Sequence, residues 1–182
     1  MTTETFTAAP AGVIPAPRPA PDAVAAAVGP MPWLTATGRL DQVLTAWARG
    51  HLAEVPTGLG FDVLQVPGPL ARETVARMRE AGRRVGPVVL GPSGGEFILA
   101  LGSAPRTAPG TTLLRPGALV LLPPPTAGVP ELVGSRGWLV PPTQPGTGAP
   151  LCAEVTPGGA LLEPYLAAVQ AAADCPEEPG DT

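Results

Sequence analysis

The stretch FDVLQVPGPLARETVARMREAGRRVGPVVLGPSGGEFILAL, from Phe61 to Leu101, changes its hydrophobic period twice. Phe61 to Val66 is short, apolar and β-prone, and Pro67-Gly68-Pro69 stops it. From Pro69 to Val85 the period is helical. Ala71, Thr74, Val75, Met78, Ala81, Gly82 and Val85 recur at spacings of three and four and share one face. Pro69 suits the first turn of a helix, where its missing N–H costs nothing, and Gly86-Pro87 closes the predicted helix. Val88 to Leu90 then leads through Gly91-Pro-Ser-Gly-Gly95 into Glu96–Leu101, an apolar run of strand length. A strand, a helix and a hairpin in this order need a sheet to lie on. The expected fold class is therefore α+β, a small mixed or antiparallel sheet of about four to six strands.

Upstream, Thr37 is placed to cap a helix that runs to about Gly50, with Leu40, Val43, Leu44 and Trp47 as its apolar stripe. Pro32-Trp33-Leu34 marks where the chain joins the fold. Residues 1–30 are rich in Ala, Pro and Thr, and Ala16-Pro-Arg-Pro-Ala-Pro21 alternates proline, which favours extended chain and forbids a helix. Such a segment buries too little apolar area to offset its ordering entropy, so it reads as a disordered tail in which residues 22–28 could add a helical turn or two.

Downstream, Ser103 to Gly110 reads as a loop, and Thr111–Leu114 and Ala118–Leu122 as β segments around the turn Arg115-Pro-Gly117. Pro123-Pro-Pro125 ends the second, because proline cannot continue a ladder. Gly137–Val140 is a last short strand, followed by a Gly/Pro-rich loop. Ala160 to Asp174 forms a terminal helix with Leu162, Tyr165, Leu166 and Val169 inward and Pro164 in its first turn. About three helices, at 37–50, 69–85 and 160–174, thus cover the sheet. The organisation expected is a tail at 1–30, one domain at 31–174 and an acidic tail at 175–182.

The 182 residues fit one domain, and a hydrophobic content of 45% is enough for a core. The 27 Pro and 23 Gly require much of the chain to be turn, loop or tail. A net charge of −4 lacks the overall basic footprint of a nucleic-acid binder. Cys152 and Cys175 are too few for a disulfide framework and lack zinc spacing, so both read as free thiols in a reducing, cytoplasmic compartment. Neither a signal peptide nor an apolar run long enough to span a membrane is visible.

Motifs for chemistry are sparse. Gly91-Pro-Ser-Gly-Gly95 lacks the Gly-Lys-Ser/Thr ending of a P-loop and the spacing of a dinucleotide fingerprint, and it reads as a hairpin turn. Ser93 as a nucleophile would need a strand-turn-helix elbow, whereas a strand follows. His51, the single histidine, follows a helix C-terminus, where it meets the helix dipole. The helix at 69–85 carries Arg72, Arg77, Arg79, Arg83 and Arg84 against Glu73 and Glu80. Glu73 with Arg77, and Glu80 with Arg84, fall at the favourable i,i+4 order. Two readings stand: a self-paired solvated face, or a patch whose surplus arginines hold phosphates.

From about Phe61 to Asp174 the order of pieces resembles the bifunctional DNA primase/polymerase N-terminal domain, the prim-pol group of archaeo-eukaryotic primases, and most of all its short, divergent actinobacterial members. The pieces are a strand ending in Val66-Pro67, the following helix, Gly86-Pro87, Pro92-Ser-Gly-Gly95 before a β run, Arg115-x-Gly117 before Leu119–Pro124, and Trp138 followed by Pro141-Pro142. The resemblance implies two metal-binding carboxylates one residue apart at the end of the first strand, on one face of it. Gln65 and Pro67 stand at those positions, and Asp62 points away from the Gln65 face. Phe97 stands where the family has a histidine after the turn, and Thr112 or Leu113 where it has a third acid. Gln, Pro and Leu supply no anionic oxygen for a divalent metal.

The resemblance therefore implies a degenerate prim-pol-like domain with no catalytic residues, no metal and no cofactor, binding nucleic acid or a protein partner. The alternatives are residual nucleotidyl transfer or nucleotide binding, and a protein–protein module with no nucleic-acid role. Should any residues bind phosphate, Arg77, Arg84 and Arg115 are the candidates, with Ser93 and Gly94 of the turn.

Overall fold

Successive residues of the central strands point to two different cores, one on each face of the sheet, and this sorts the chain into three layers. The structure is a computed structural model and describes Val24 and residues 31–105, 108–125, 132–143 and 154–174. In chain order the elements are α1 Pro32–Thr35, α2 Leu40–Ala48, β1 Ala53–Pro56, β2 Asp62–Val66, α3 Gly68–Glu80, β3 Val88–Gly91, β4 Gly94–Leu99, β5 Thr112–Leu113, β6 Leu119–Leu122, β7 Gly137–Val140 and α4 Gly158–Asp174. Among the described residues the fold is α+β, with four helices and two antiparallel sheets. The larger sheet runs β5-β2-β4-β3-β7, and β1 pairs with β6 in a two-stranded ribbon.

One face of the larger sheet packs under α3 and α4. Leu64, Val66, Val88, Phe97, Leu99 and Val140 point there and meet Ala71, Val75 and Met78 of α3 and Leu161 and Tyr165 of α4. The opposite face presents Val63, Val89, Ile98 and Trp138 to α1, α2 and the ribbon, whose inward residues include Ala53, Val55, Val120 and Leu122. Trp33 and Phe61 meet edge to face at 5.3 Å in this second core. Two indoles tie it to the ribbon: Trp47 Nε1 donates to the Leu122 carbonyl at 3.1 Å, and Trp138 Nε1 to the carbonyls of Pro123 and Pro124 at 3.1 and 3.0 Å.

The strand–helix–hairpin reading of 61–101 holds, with shifted boundaries. α3 begins at Gly68, with proline next in its first turn, and stops at Glu80, five residues before the periodic pattern does. Gly82 adopts φ 64°, its N–H bonds the Arg79 carbonyl at 3.0 Å, and the Arg83 N–H bonds the Met78 carbonyl at 2.8 Å. This paired closure satisfies the last carbonyls and ends the helix. The hairpin turns at Pro92-Ser93, with Gly91 opposite Gly94, so β4 starts at Gly94 and ends at Leu99. Gly94 has φ 117°, and a Cβ there would lie 2.2 Å from the Val66 carbonyl oxygen, so no other residue fits.

Other expectations need correction. The residue at the N-cap of α2 is Arg39, and the Thr37 hydroxyl turns back to the Leu34 carbonyl at 2.6 Å while accepting from the Arg39 N–H at 3.3 Å. The β segments on either side of Arg115 join different sheets, β5 beside β2 and β6 beside β1. The ribbon partner β1 lies where no strand is expected. α4 starts at Gly158 and buries Leu161, Pro164, Tyr165 and Ala168, whereas Leu166 is 43% exposed. Two apolar stripes run along this helix, and the core takes the one centred on Leu161 and Tyr165.

Pro164 sits in the second turn of α4, where it removes the bond that the Ala160 carbonyl would accept. Arg83 fills that gap: its Nη1 donates to the Ala160 carbonyl at 3.0 Å, and its Nη2 pairs with Glu163. Tyr165 is fully buried and donates its hydroxyl to the Pro109 carbonyl. Burial raises its pKa above the ordinary tyrosine value. The expected tails at 1–30 and 175–182, and both cysteines, lie outside the described residues apart from Val24, which is buried in the second core.

Candidate functional site

Opposed residues of neighbouring strands share a face, and the register sets Gln65, Glu96, Val89 and Trp138 side by side. Glu96 is 1% exposed. A carboxylate so deep requires partners, because an isolated buried charge costs several kcal/mol even after relaxation. It has two. Gln65 Nε2 donates to Glu96 Oε1 at 3.1 Å, and Arg136 Nη1 to Oε2 at 2.7 Å. Arg136 also reaches the Leu121 carbonyl at 3.4 Å, so its guanidinium bridges the sheet and the ribbon. Room for it comes from Gly91, where a Cβ would stand 3.3 Å from the guanidinium.

Glu96 escaped the sequence reading because it sits inside an apolar run. A lone charge in such a run is itself a signal that a partner waits across the sheet. Gln65, two residues before Pro67, occupies the strand end where a metal-binding carboxylate would be expected, and its amide is committed to Glu96. Asp62 accepts the Gly102 N–H at 2.8 Å, three residues back along β2. Among the described residues no group of three or more His, Cys, Asp or Glu side chains could hold a metal ion.

The five phosphate candidates do not converge. Ser93 is exposed at the hairpin tip, and Gly94 lies against the first turn of α3, with its Cα 3.9 Å from the position of a Cβ on Gly68. Arg77 is nine residues further along that helix, about 14 Å away by helical rise, and pairs with Glu73 at 2.8 Å. Arg84 lies beyond the end of α3, so it pairs with Glu154 and not with Glu80. Arg115 follows β5 at the Asp62 end of β2, away from the Ser93 turn. Its carbonyl accepts from the Thr57 hydroxyl at 2.8 Å, and its side chain is exposed. With Arg83 engaged on α4, Arg72 and Arg79 are the arginines of this segment without an ion-pair partner among the described residues.

His51 donates its backbone N–H to the Ala46 carbonyl at 2.9 Å, closing α2. Its side chain lines an open cleft of about 410 Å³ with Asp41, Gln42, Thr45 and Arg49. Among the described residues no helix is long and apolar enough to cross a membrane. No family model, curated protein or solved structure matches the chain.

Proposed function

We propose that the chain is a non-catalytic binding protein, regulatory in role, that uses a degenerate prim-pol-like scaffold in the cytoplasm and engages a protein partner. The observation that carries this reading is the closed row Gln65–Glu96–Arg136. Both carboxylate oxygens of Glu96 are occupied, one by an amide and one by a guanidinium. Arg136 supplies the positive charge that a divalent ion would otherwise supply. Metal-assisted phosphoryl transfer needs carboxylates free to bridge to the ion, and here the nearest one is a structural anion.

A protein partner fits better than a nucleic-acid backbone. Arg77, Arg83 and Arg84 meet carboxylates of their own chain, which removes most of the surplus that phosphates would need. The experiment is template-dependent nucleotide incorporation by the purified chain with Mg²⁺ or Mn²⁺. The expected result is none. Incorporation that a chelator abolishes overturns the reading. A salt series of DNA binding separates the two kinds of partner: a steep linear fall of log affinity with log salt would mark phosphate contacts and reassign the partner to nucleic acid.

A further inference from the structure

Gly50, at φ 72°, turns the chain back at the end of α2, so that His51 and Leu52 join residues of that helix in lining the open cleft of about 410 Å³. Asp41, Thr45 and Arg49 recur at spacings of four, with Gln42 beside them, so they share one side of the helix. Ala46 and Leu52, both half-buried, are the apolar part of the lining. Among the described residues, the Asp41 carboxylate, the Arg49 guanidinium and the His51 imidazole have neither an ion pair nor a hydrogen bond. The end of α2 does not take them up. The Ala46 carbonyl accepts from the backbone N–H groups of Arg49 and His51, and the Trp47 carbonyl from that of Gly50. Gln42 Oε1 accepts from Arg39 Nη1 at 3.3 Å, which leaves the Gln42 amide as a donor. Thr45 Oγ1 donates to the Asp41 carbonyl at 2.8 Å and is left as an acceptor. Asp41 and Arg49 do not meet, because about 12 Å of helical rise separates them.

We infer that this cleft binds a small zwitterion of the size of a dipeptide, with its carboxylate on Arg49 and His51 and its ammonium on Asp41. The inference is independent of the proposed function. The free charges select the ligand. A simple anion is repelled at the Asp41 end, and a simple cation at the Arg49 end. A molecule that carries both charges, well apart, is attracted at each. An extended dipeptide spans about 7 Å, and the long arginine side chain covers the rest of the distance. A single amino acid is too short to reach both ends. The dipeptide also suits what lies between the charges. Its peptide N–H finds an acceptor in Thr45 Oγ1, its carbonyl a donor in the Gln42 amide, and its side chains the hydrocarbon of Ala46 and Leu52. The terminus of a long chain carries one of the two charges and meets half of the site. Guanidinium and carboxylate pair in a fixed fork, so Arg49 supplies the largest share of the affinity.

His51 is the single histidine, so its imidazole proton resonances report on the cleft alone. The test is a titration of the full chain with alanyl-leucine, followed by NMR at those resonances up to about 20 mM, a range that covers the dissociation constant of about 1 mM expected of an open site. The expected result is a saturable shift. Arg49→Met should weaken binding at least tenfold and Asp41→Asn several-fold, with melting temperatures unchanged, because both side chains are exposed. N-acetyl-alanyl-leucine amide, which has lost both charges, should give no saturable shift. Resonances that do not move with alanyl-leucine overturn the inference. So does a capped peptide that binds as well as the free one, or binding that survives Arg49→Met. Binding unaffected by Asp41→Asn, or matched by acetate at the same concentration, overturns the zwitterion and leaves a carboxylate contact only.

Discussion

On the face of the larger sheet covered by α3 and α4, the strand residues in the core are Leu64, Val66, Val88, Phe97, Leu99 and Val140, all hydrocarbon. On the other face, Gln65, Glu96 and Arg136 lie in a row among Val63, Val89, Ile98 and Trp138. Glu96 is as deeply buried as the hydrocarbon opposite it, while Gln65 and Arg136 are partly exposed, and the two faces tolerate change differently. Hydrocarbon packing loses stability in proportion to the atoms removed and the cavity left behind. The polar row depends on its ion pair: with both charges present each satisfies the other, and with Glu96 or Arg136 gone the remaining charge loses its ion partner.

The comparison breaks most sharply at Arg136. Arg136→Met strands the Glu96 carboxylate and should cost about 3–5 kcal/mol in urea unfolding. The pair Glu96→Leu with Arg136→Met should recover most of that loss, since an apolar replacement of a buried ion pair is often neutral or stabilising. Two single losses that simply add would mean that the groups do not depend on each other. On the hydrocarbon face, Leu161→Ala should cost about 2–5 kcal/mol, while Leu166→Ala on the same helix should stay within about 0.5 kcal/mol. Equal effects would place both residues in the core and remove the distinction between the two stripes of α4.

A smaller effect is expected at the carbonyl freed by Pro164. Arg83→Met leaves the Ala160 carbonyl without its donor and should cost about 1 kcal/mol. The double change Arg83→Met with Pro164→Ala should recover it, because an alanine in place of the proline brings back the N–H that the helical bond needs. The smallest concerns Tyr165. Its pKa is raised by burial, so the folded state holds the proton more tightly than the unfolded state. The stabilisation is complete below the ordinary tyrosine value near pH 10 and is lost as pH rises through the folded value. Tyr165→Phe should flatten that alkaline decline in a pH series of melting temperatures.

Much of this architecture is written locally. The change from strand to helical period and back at 61–101 is carried by contiguous residues, and the structure keeps it. What is lost is what depends on distance. β1 is four residues ending in proline and becomes a strand only because β6, more than sixty residues later, lies beside it. In α3, the apolar period continues past Gly82, but the left-handed turn there outweighs it. In α4, two apolar stripes are interleaved, and nothing in the helix alone says which one meets Phe97 and Leu64. The candidate site follows the same rule. The lone Glu96 is visible in its strand, yet its partners come from Gln65 across the sheet and from Arg136, 40 residues on.

The measurement closest to the central claim is the melting temperature of the wild-type chain with and without a nucleoside triphosphate and Mn²⁺. A ligand that binds the folded state at about a hundred times its dissociation constant adds about 2.7 kcal/mol, or about 5–10 °C for a chain of this size. With Glu96 held by Arg136 and Gln65, the account predicts no shift. A rise of that size, abolished by chelator and by Glu96→Gln, would contradict it.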